Sequence, residues 1–237
     1  MNHYDDPAFF AAYAQMPRSQ HGLNAAGEWH QLEPLFPPLG EKDVLDLGCG
    51  YGWHCQYAAD HGARSVLGID ESSRMIATAK RLHSHPGITY RICSLQEFDY
   101  PAVSFDVVIS NLVLHYVEEL EPIFQRVFQT LRPNGTFLIN MEHPTFTAGV
   151  RQQFSADGTW PVNDYYHSGL RETEFLGHTI IKYHHTLTQI LMGLIHSGFR
   201  LEAVEEAMPP AEWRAIMPEE MRRPMMLLIR AAKEGRS

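Results

Sequence analysis

Residues 44–53, VLDLGCGYGW, set an apolar run broken only by Asp46 against three glycines at alternate positions. An apolar run of this kind reads as a strand covered on both faces. Glycine lets a backbone turn tightly and lets a ligand reach main-chain atoms. The stretch therefore predicts a strand ending at Leu47, a bare turn through Gly48, Gly50 and Gly52, and a helix opening near Trp53 with its N-terminus toward whatever the turn holds.

Beyond this turn, buried-type runs alternate with helical stretches: SVLGID then SSRMIATAKRLHSH, ITYRICSL, FDVVISNLVL then EPIFQRVFQTLRP, and TFLINME. That alternation predicts a parallel sheet flanked by helices over about residues 42–141. Ser72 is placed to cap the second helix, and Arg132-Pro133-Asn134-Gly135 reads as a stop and turn before the fifth strand. Residues 4–35 read as one or two aromatic-rich amphipathic helices packed on the sheet. From 144 to 178 the pattern breaks into Gly, Pro, Trp, Tyr and His, the composition of a lid or pocket wall. A helix over 186–197 and strands over 200–205 and 224–231 complete the chain. The expected organisation is a single domain: an N-terminal helical cap (1–40), a core (41–143), a lid insertion (144–180), and a C-terminal helix with strands (181–237).

Composition narrows the function. A formal net charge of −9, with no run of basic residues longer than Arg222-Arg223, leaves no surface for tracking phosphates and argues against nucleic acid. Three cysteines without a CxxC pair suggest neither a disulfide framework nor a zinc ribbon, and point to a reducing compartment, the cytoplasm. Among fourteen histidines there is no HExxH or paired Cys/His spacing, so no metal is expected. No apolar run is long enough to span a membrane. A monomer or homodimer is expected.

Two cofactor classes use a glycine turn after a strand. The dinucleotide fingerprint needs a third small residue at position 53, where this chain has Trp53. The D-x-G-x-G-x-G form, with Asp46 two residues before the first glycine, resembles motif I of the class I S-adenosylmethionine-dependent methyltransferases. Asp70 stands twenty residues after Gly50 at a strand end, where its carboxylate can accept two ribose hydroxyls. The resemblance covers about residues 42–141. It extends to Ser94-Leu95-Gln96-Glu97-Phe98, similar to a stretch that addresses adenine, with Ser94 where the family carries an acid. It includes SNLVLHYV (110–117) and LRPNGTFLI (131–139) as well.

The resemblance implies an α/β, Rossmann-like fold: a seven-stranded, mostly parallel sheet with the last strand antiparallel. It implies S-adenosylmethionine as cofactor and S-adenosylhomocysteine as product, and residues 4–22 with MEHPTFTAG and WPVNDYYHSG resemble a subgroup that acts on small molecules. It assigns cofactor binding to Asp46, Gly48, Cys49 and Gly50 in the turn, to Asp70, Glu71 and Met75, to Ser94, Leu95 and Gln96, and to Asn111 and Leu112. By the same analogy the N-terminal helix closes over the cofactor, with Tyr13 facing it and Arg18 pairing its carboxylate; packing is the alternative role for both.

Methyl transfer is an in-line displacement on an O, N or C nucleophile, and a base is needed only where that nucleophile must lose a proton. Imidazole suits that task. His143, just beyond the fifth strand, is the first candidate and His115 the second. Trp160, Tyr165, Tyr166 and Tyr183 are candidates to wall the acceptor pocket, against a role in pinning the lid. Two other readings stay open on sequence: a nicotinamide-dependent oxidoreductase, and a non-catalytic cofactor-binding or protein-interaction module.

Overall fold

The apolar runs become strands: β1 (Asp43–Leu47), β2 (Ser65–Asp70), β3 (Ile88–Ile92), β4 (Phe105–Asn111) and β5 (Leu131–Glu142). They alternate with α4 (Trp53–Asp60), α5 (Ser73–Leu82) and α6 (Leu120–Thr130). The structure is a computed structural model that describes residues 2–235. Ahead of this unit lie three short helices, α1 (Pro7–Tyr13), α2 (Pro17–His21) and α3 (Trp29–Leu32), with 3-10 turns before α1, between α2 and α3, and after α3. The N-terminal region is thus more broken than the one or two helices expected, since Pro7, Pro17 and Pro34 each restart the chain. After β5 come α7 (Pro144–Thr147), the hairpin β6 (Gly169–Phe175) and β7 (His178–His184), α8 (Leu187–His196), β8 (Arg200–Ala207) and β9 (Met226–Ala232).

Among the described residues the main sheet has seven strands in the order β3-β2-β1-β4-β5-β9-β8. The first five are parallel, and β9 runs antiparallel to both β5 and β8. This is the expected Rossmann-like sheet. Successive residues face opposite layers. Leu45, Phe137 and Leu227 pack on one side with Phe124 and Ile190, while Val44, Leu138 and Leu228 pack on the other with Val66 and Ile76.

Ser72 caps α5 as expected, its Oγ accepting from the Met75 N–H. The same hydroxyl donates to Asp5 Oδ1 at 2.8 Å, which ties the N-terminal segment to the start of α5. Asn134 adopts φ 65°, the left-handed turn its side chain tolerates.

The segment read as an irregular lid holds a β-hairpin. Phe175 pairs with His178 across a two-residue turn in which Leu176 and Gly177 both have positive φ. Such turns favour Asn-Gly, and leucine in the first position hides the signal.

Candidate active site

A cavity of about 440 Å³ lies along the carboxyl edge of the parallel strands. Its floor is the turn after β1, Asp70 at the end of β2, Asn111 at the end of β4 and Glu142 at the end of β5. Open α/β sheets bind ligands at this edge because the strand ends and loops converge there. The N-terminal segment supplies the roof through Tyr4, Tyr13, Arg18 and Glu28, and the hairpin supplies a wall through Thr173, Phe175 and Lys182.

The glycine turn has the bareness the sequence implied. Gly48 sits at φ 70°, and a Cβ there would meet Val113 at 2.7 Å, so both backbone and packing exclude a side chain. Gly50 sits at φ 52° with nothing within 4 Å of where its Cβ would be, so its open face belongs to the cavity. The Gly50 N–H donates to Asp70 Oδ2 at 2.9 Å, and the Ser72 N–H donates to Asp70 Oδ1 at 2.8 Å. Each oxygen of Asp70 retains a lone pair for a further donor. Burial pushes the Asp70 carboxyl up to about 6, against the pull of the two N–H donors.

These residues fit a sulfonium nucleoside. Gly50 leaves room, Asp70 can accept a pair of ribose hydroxyls, and the cations that line the cavity, Arg18 and Lys182, are already bound by Glu28 and Glu142. Among the described residues, a diphosphate would find there no cation whose charge is not already offset. Trp53 occupies the position where a dinucleotide turn needs a small residue; its ring lies against Gly22 and meets His83 edge-on at 4.4 Å. It lines the cavity without filling it.

Most of the residues that the resemblance assigned to the cofactor converge here. Cys49 flanks the turn, Glu71 and Met75 follow Asp70, and Ser94, Leu95 and Gln96 come from the loop after β3. The Ser94 hydroxyl donates to Glu97 Oε2 and accepts from the Glu97 N–H, so it caps its own turn. Asn111 and Leu112 also line the cavity, and Leu112 holds φ 55°, a strained value for a leucine, where its N–H donates to the Asn140 carbonyl. Tyr13 lines the roof.

One expectation requires correction. Asp46 is fully buried beneath the turn and does not line the cavity. Its Oδ2 accepts from Cys55 Sγ at 3.3 Å, its Oδ1 has no partner, and burial pushes its carboxyl up to about 7. Arg18 does line the cavity, but two of its donors go to Glu28, leaving only the others for a ligand carboxylate.

The two candidate histidines separate. His143 lies outside the cavity: its Nδ1 accepts from the Thr145 N–H as the cap of α7, and its Nε2 lies 2.9 Å from Glu206. Side chains alternate along a strand, so the residue at the end of β5 that faces the cavity is Glu142, one position earlier. His115 does line the cavity, and burial pushes it down to about 4, which keeps it neutral.

None of the four candidate pocket aromatics lines the cavity. Trp160 donates to the Thr145 carbonyl and stacks on Phe146 at 5.1 Å, pinning the lid. The Tyr165 hydroxyl accepts from the Leu187 N–H, Tyr166 is 89 % exposed, and Tyr183 stands on β7 outside the cavity. Tyr4, Tyr116, Phe146 and Phe175 are among the rings that do line it. Glu28, Glu142 and Lys182 were also missed, and of these only Glu142 carried a signal, its place beside His143.

Comparison with known proteins agrees with this geometry. Residues 45–139 match the family model described as a methyltransferase domain. A candidate S-adenosylmethionine dependent methyltransferase from Listeria monocytogenes superimposes with a TM-score of 0.84 at 43 % identity, over 90 % of this chain and 99 % of that one. An S-adenosylmethionine dependent methyltransferase from Mesorhizobium loti does so with a TM-score of 0.83 at 40 % identity, over 89 % of this chain and all of the other. A ubiquinone biosynthesis O-methyltransferase from Bradyrhizobium diazoefficiens is 38 % identical over 105 residues, 43 % of this chain and 40 % of that protein. Turn, carboxylate, sheet and relatives agree, and the chain belongs to the class I S-adenosylmethionine-dependent methyltransferases.

Proposed function

We propose that this methyltransferase acts on a small molecule held in the same cavity as the cofactor. The observation that carries the reading is the extent of the cavity along the sheet edge. From Asp70 on β2 to Glu142 on β5 is three strand spacings, roughly 14 Å. The nucleoside end belongs over β2 and β3, beside Asp70 and Ser94–Gln96, and the methionyl part over β1 and β4. That leaves the β5 end, under the hairpin, for an acceptor.

When bound, the cofactor supplies a methyl group on a positively charged sulfur. The chain's own residues do the rest. Asp70 would hold the ribose, the Gly48–Gly50 backbone would lie against the nucleoside, and Asn111 and Leu112 would line the path to the β5 end. Roof and hairpin keep water from the path. Holding two reactants near attack distance is worth up to about 7–11 kcal/mol, so positioning supplies much of the rate. Of the two candidate histidines only His115 reaches this region, and as a neutral imidazole it can orient a polar group.

Among the described residues no helix is long and apolar enough to cross a membrane, and no His/Cys/Asp/Glu group is arranged to hold a metal. The three free thiols support a cytoplasmic location. Titration calorimetry with S-adenosylhomocysteine and with NAD tests the cofactor. Tight binding of the first and none of the second is expected; the reverse overturns the reading. Release of S-adenosylhomocysteine on addition of small acceptors then tests the transfer.

A further inference from the structure

Glu142, His115 and Lys182 meet where the end of β5, the turn after β4 and the hairpin converge. Lys182 Nζ donates to Glu142 Oε1, and His115 Nε2 lies 4.0 Å from the same oxygen. The other two polar atoms, Glu142 Oε2 and His115 Nδ1, are buried and have no partner. All three side chains are more than nine-tenths buried, and all three line the cavity. A buried carboxylate oxygen without a donor is costly, so in a native fold it calls for an explanation. A ligand that brings the donor is the one the cavity offers.

The chemistry of that donor is restricted by what surrounds it. Lys182 is neutralised by Glu142 and Arg18 by Glu28, so among the described residues an anionic substituent would meet no uncompensated cation in the cavity wall. An amine would arrive beside the Glu142 carboxylate as an ammonium ion, with no lone pair left to attack. A neutral hydroxyl donates its proton and keeps its lone pairs. The flanking rings of Tyr4, Tyr116, Phe146 and Phe175 suit a flat apolar body.

We infer that the acceptor is a neutral phenol whose hydroxyl donates to Glu142 Oε2, and that Glu142 receives its proton during transfer, with Lys182 and His115 as positioning residues. This rests on the methyl-transfer reading. An oxygen lone pair forms the new C–O bond while the methyl–sulfur bond breaks, its electron pair staying on sulfur. The phenolic proton passes to the Glu142 carboxylate, which becomes a neutral acid. An ionised carboxylate of ordinary basicity is sufficient, because the O–H becomes strongly acidic as its oxygen is alkylated. Lys182 comes from the hairpin, so the hairpin completes the proton acceptor.

Four probes of one shape test this: 4-propylphenol, 4-propylbenzoate, 4-propylphenyl phosphate and 4-propylbenzylamine. Calorimetry measures each against protein loaded with S-adenosylhomocysteine, and product release measures turnover with S-adenosylmethionine. The phenol is expected to bind and be methylated, and the other three not to be. Glu142→Gln should lower kcat for the phenol by about 100-fold or more, with unchanged affinity for S-adenosylhomocysteine and an unchanged circular dichroism spectrum. The titratable groups facing Glu142 are His115, Tyr116 and Lys182. Lys182→Met should therefore move the acidic limb of the kcat profile to higher pH, and Lys182→Arg should restore it. Methylation of the benzoate, phosphate or amine, failure of the phenol to bind, or wild-type kcat in Glu142→Gln overturns the proposal. Failure of the wild type to bind S-adenosylhomocysteine overturns the underlying methyl-transfer reading instead.

Discussion

Arg18 and Glu28 meet in a two-point ion pair over the cavity, Nη1 to Oε1 at 2.6 Å and Nη2 to Oε2 at 2.9 Å. Glu28 is 5 % exposed, and its Oε1 also accepts from Asn140, which in turn donates to Asn111. The pair thus joins the roof to the ends of β4 and β5. Arg18→Met leaves a buried carboxylate with one amide for company, and should cost about 3 kcal/mol at neutral pH. The Arg18 guanidinium holds the Glu28 carboxyl below its ordinary value against the upward pull of burial. The contribution is present above about pH 4.5 and lost as pH falls through the lowered value, so the gap between variant and wild type should close in acid. Urea unfolding at several pH values measures it.

Asp70→Ala should weaken S-adenosylhomocysteine binding by about 1.5–3 kcal/mol, the loss of charged hydrogen bonds. In the wild type the ionised carboxylate is the form that accepts from hydroxyls, and burial has raised it to about 6. Affinity should be level above neutral pH and fall as pH drops through about 6, and the alanine variant should show no such fall. Calorimetry from pH 5 to 8 would read both, and unchanged affinity in the variant would remove Asp70 from the site.

Asp46 gives the opposite kind of pH signal. Burial lifts it to about 7, so the folded state holds its proton more tightly than the unfolded chain does. Unfolding free energy should therefore decline as pH rises between about 4 and 7, and Asp46→Asn should remove that part of the decline. Denaturation curves of the two proteins, compared at the ends of that window, provide the check.

Gly50→Ala places a methyl group in open space at a left-handed φ, a cost of about 1–2 kcal/mol. The variant should fold yet lose cofactor affinity, because the methyl group would enter the cavity on the face proposed for the nucleoside. Gly48→Ala should instead melt early, since its Cβ runs into Val113. Calorimetric melting and cofactor titration separate the two outcomes.

His143→Ala should leave turnover close to wild type while lowering stability by about 1 kcal/mol, the worth of a helix cap. A large loss of kcat with normal stability would return His143 to the chemistry.

The sequence exposed what depends on local pattern. The turn at Gly48–Gly52, the cap at Ser72, the left-handed Asn134 and the acid at the end of β2 each follow from residue type at fixed spacing, and the structure has all four. What stayed hidden depends on which way a side chain points and what arrives from far along the chain. His143 and Glu142 are neighbours, and only the strand's alternation decides which faces the cavity. Lys182 reaches Glu142 from forty residues away, across a hairpin whose Leu176-Gly177 turn lacks the usual asparagine. Glu28 is paired across the fold with Asn140, a link that no short motif records.

Strand order and chain order part company at β9, which sits between β5 and β8 although it follows both in the chain. Until it arrives, β5 presents an open ladder of N–H and C=O groups beside Ile139 and Met141, both fully apolar and both interior in the finished protein. Such an edge invites pairing with a neighbouring nascent chain. Expression yield should therefore be most sensitive to substitutions in Leu227–Ile229, the stretch that closes the ladder, even though none of these three residues lines the cavity.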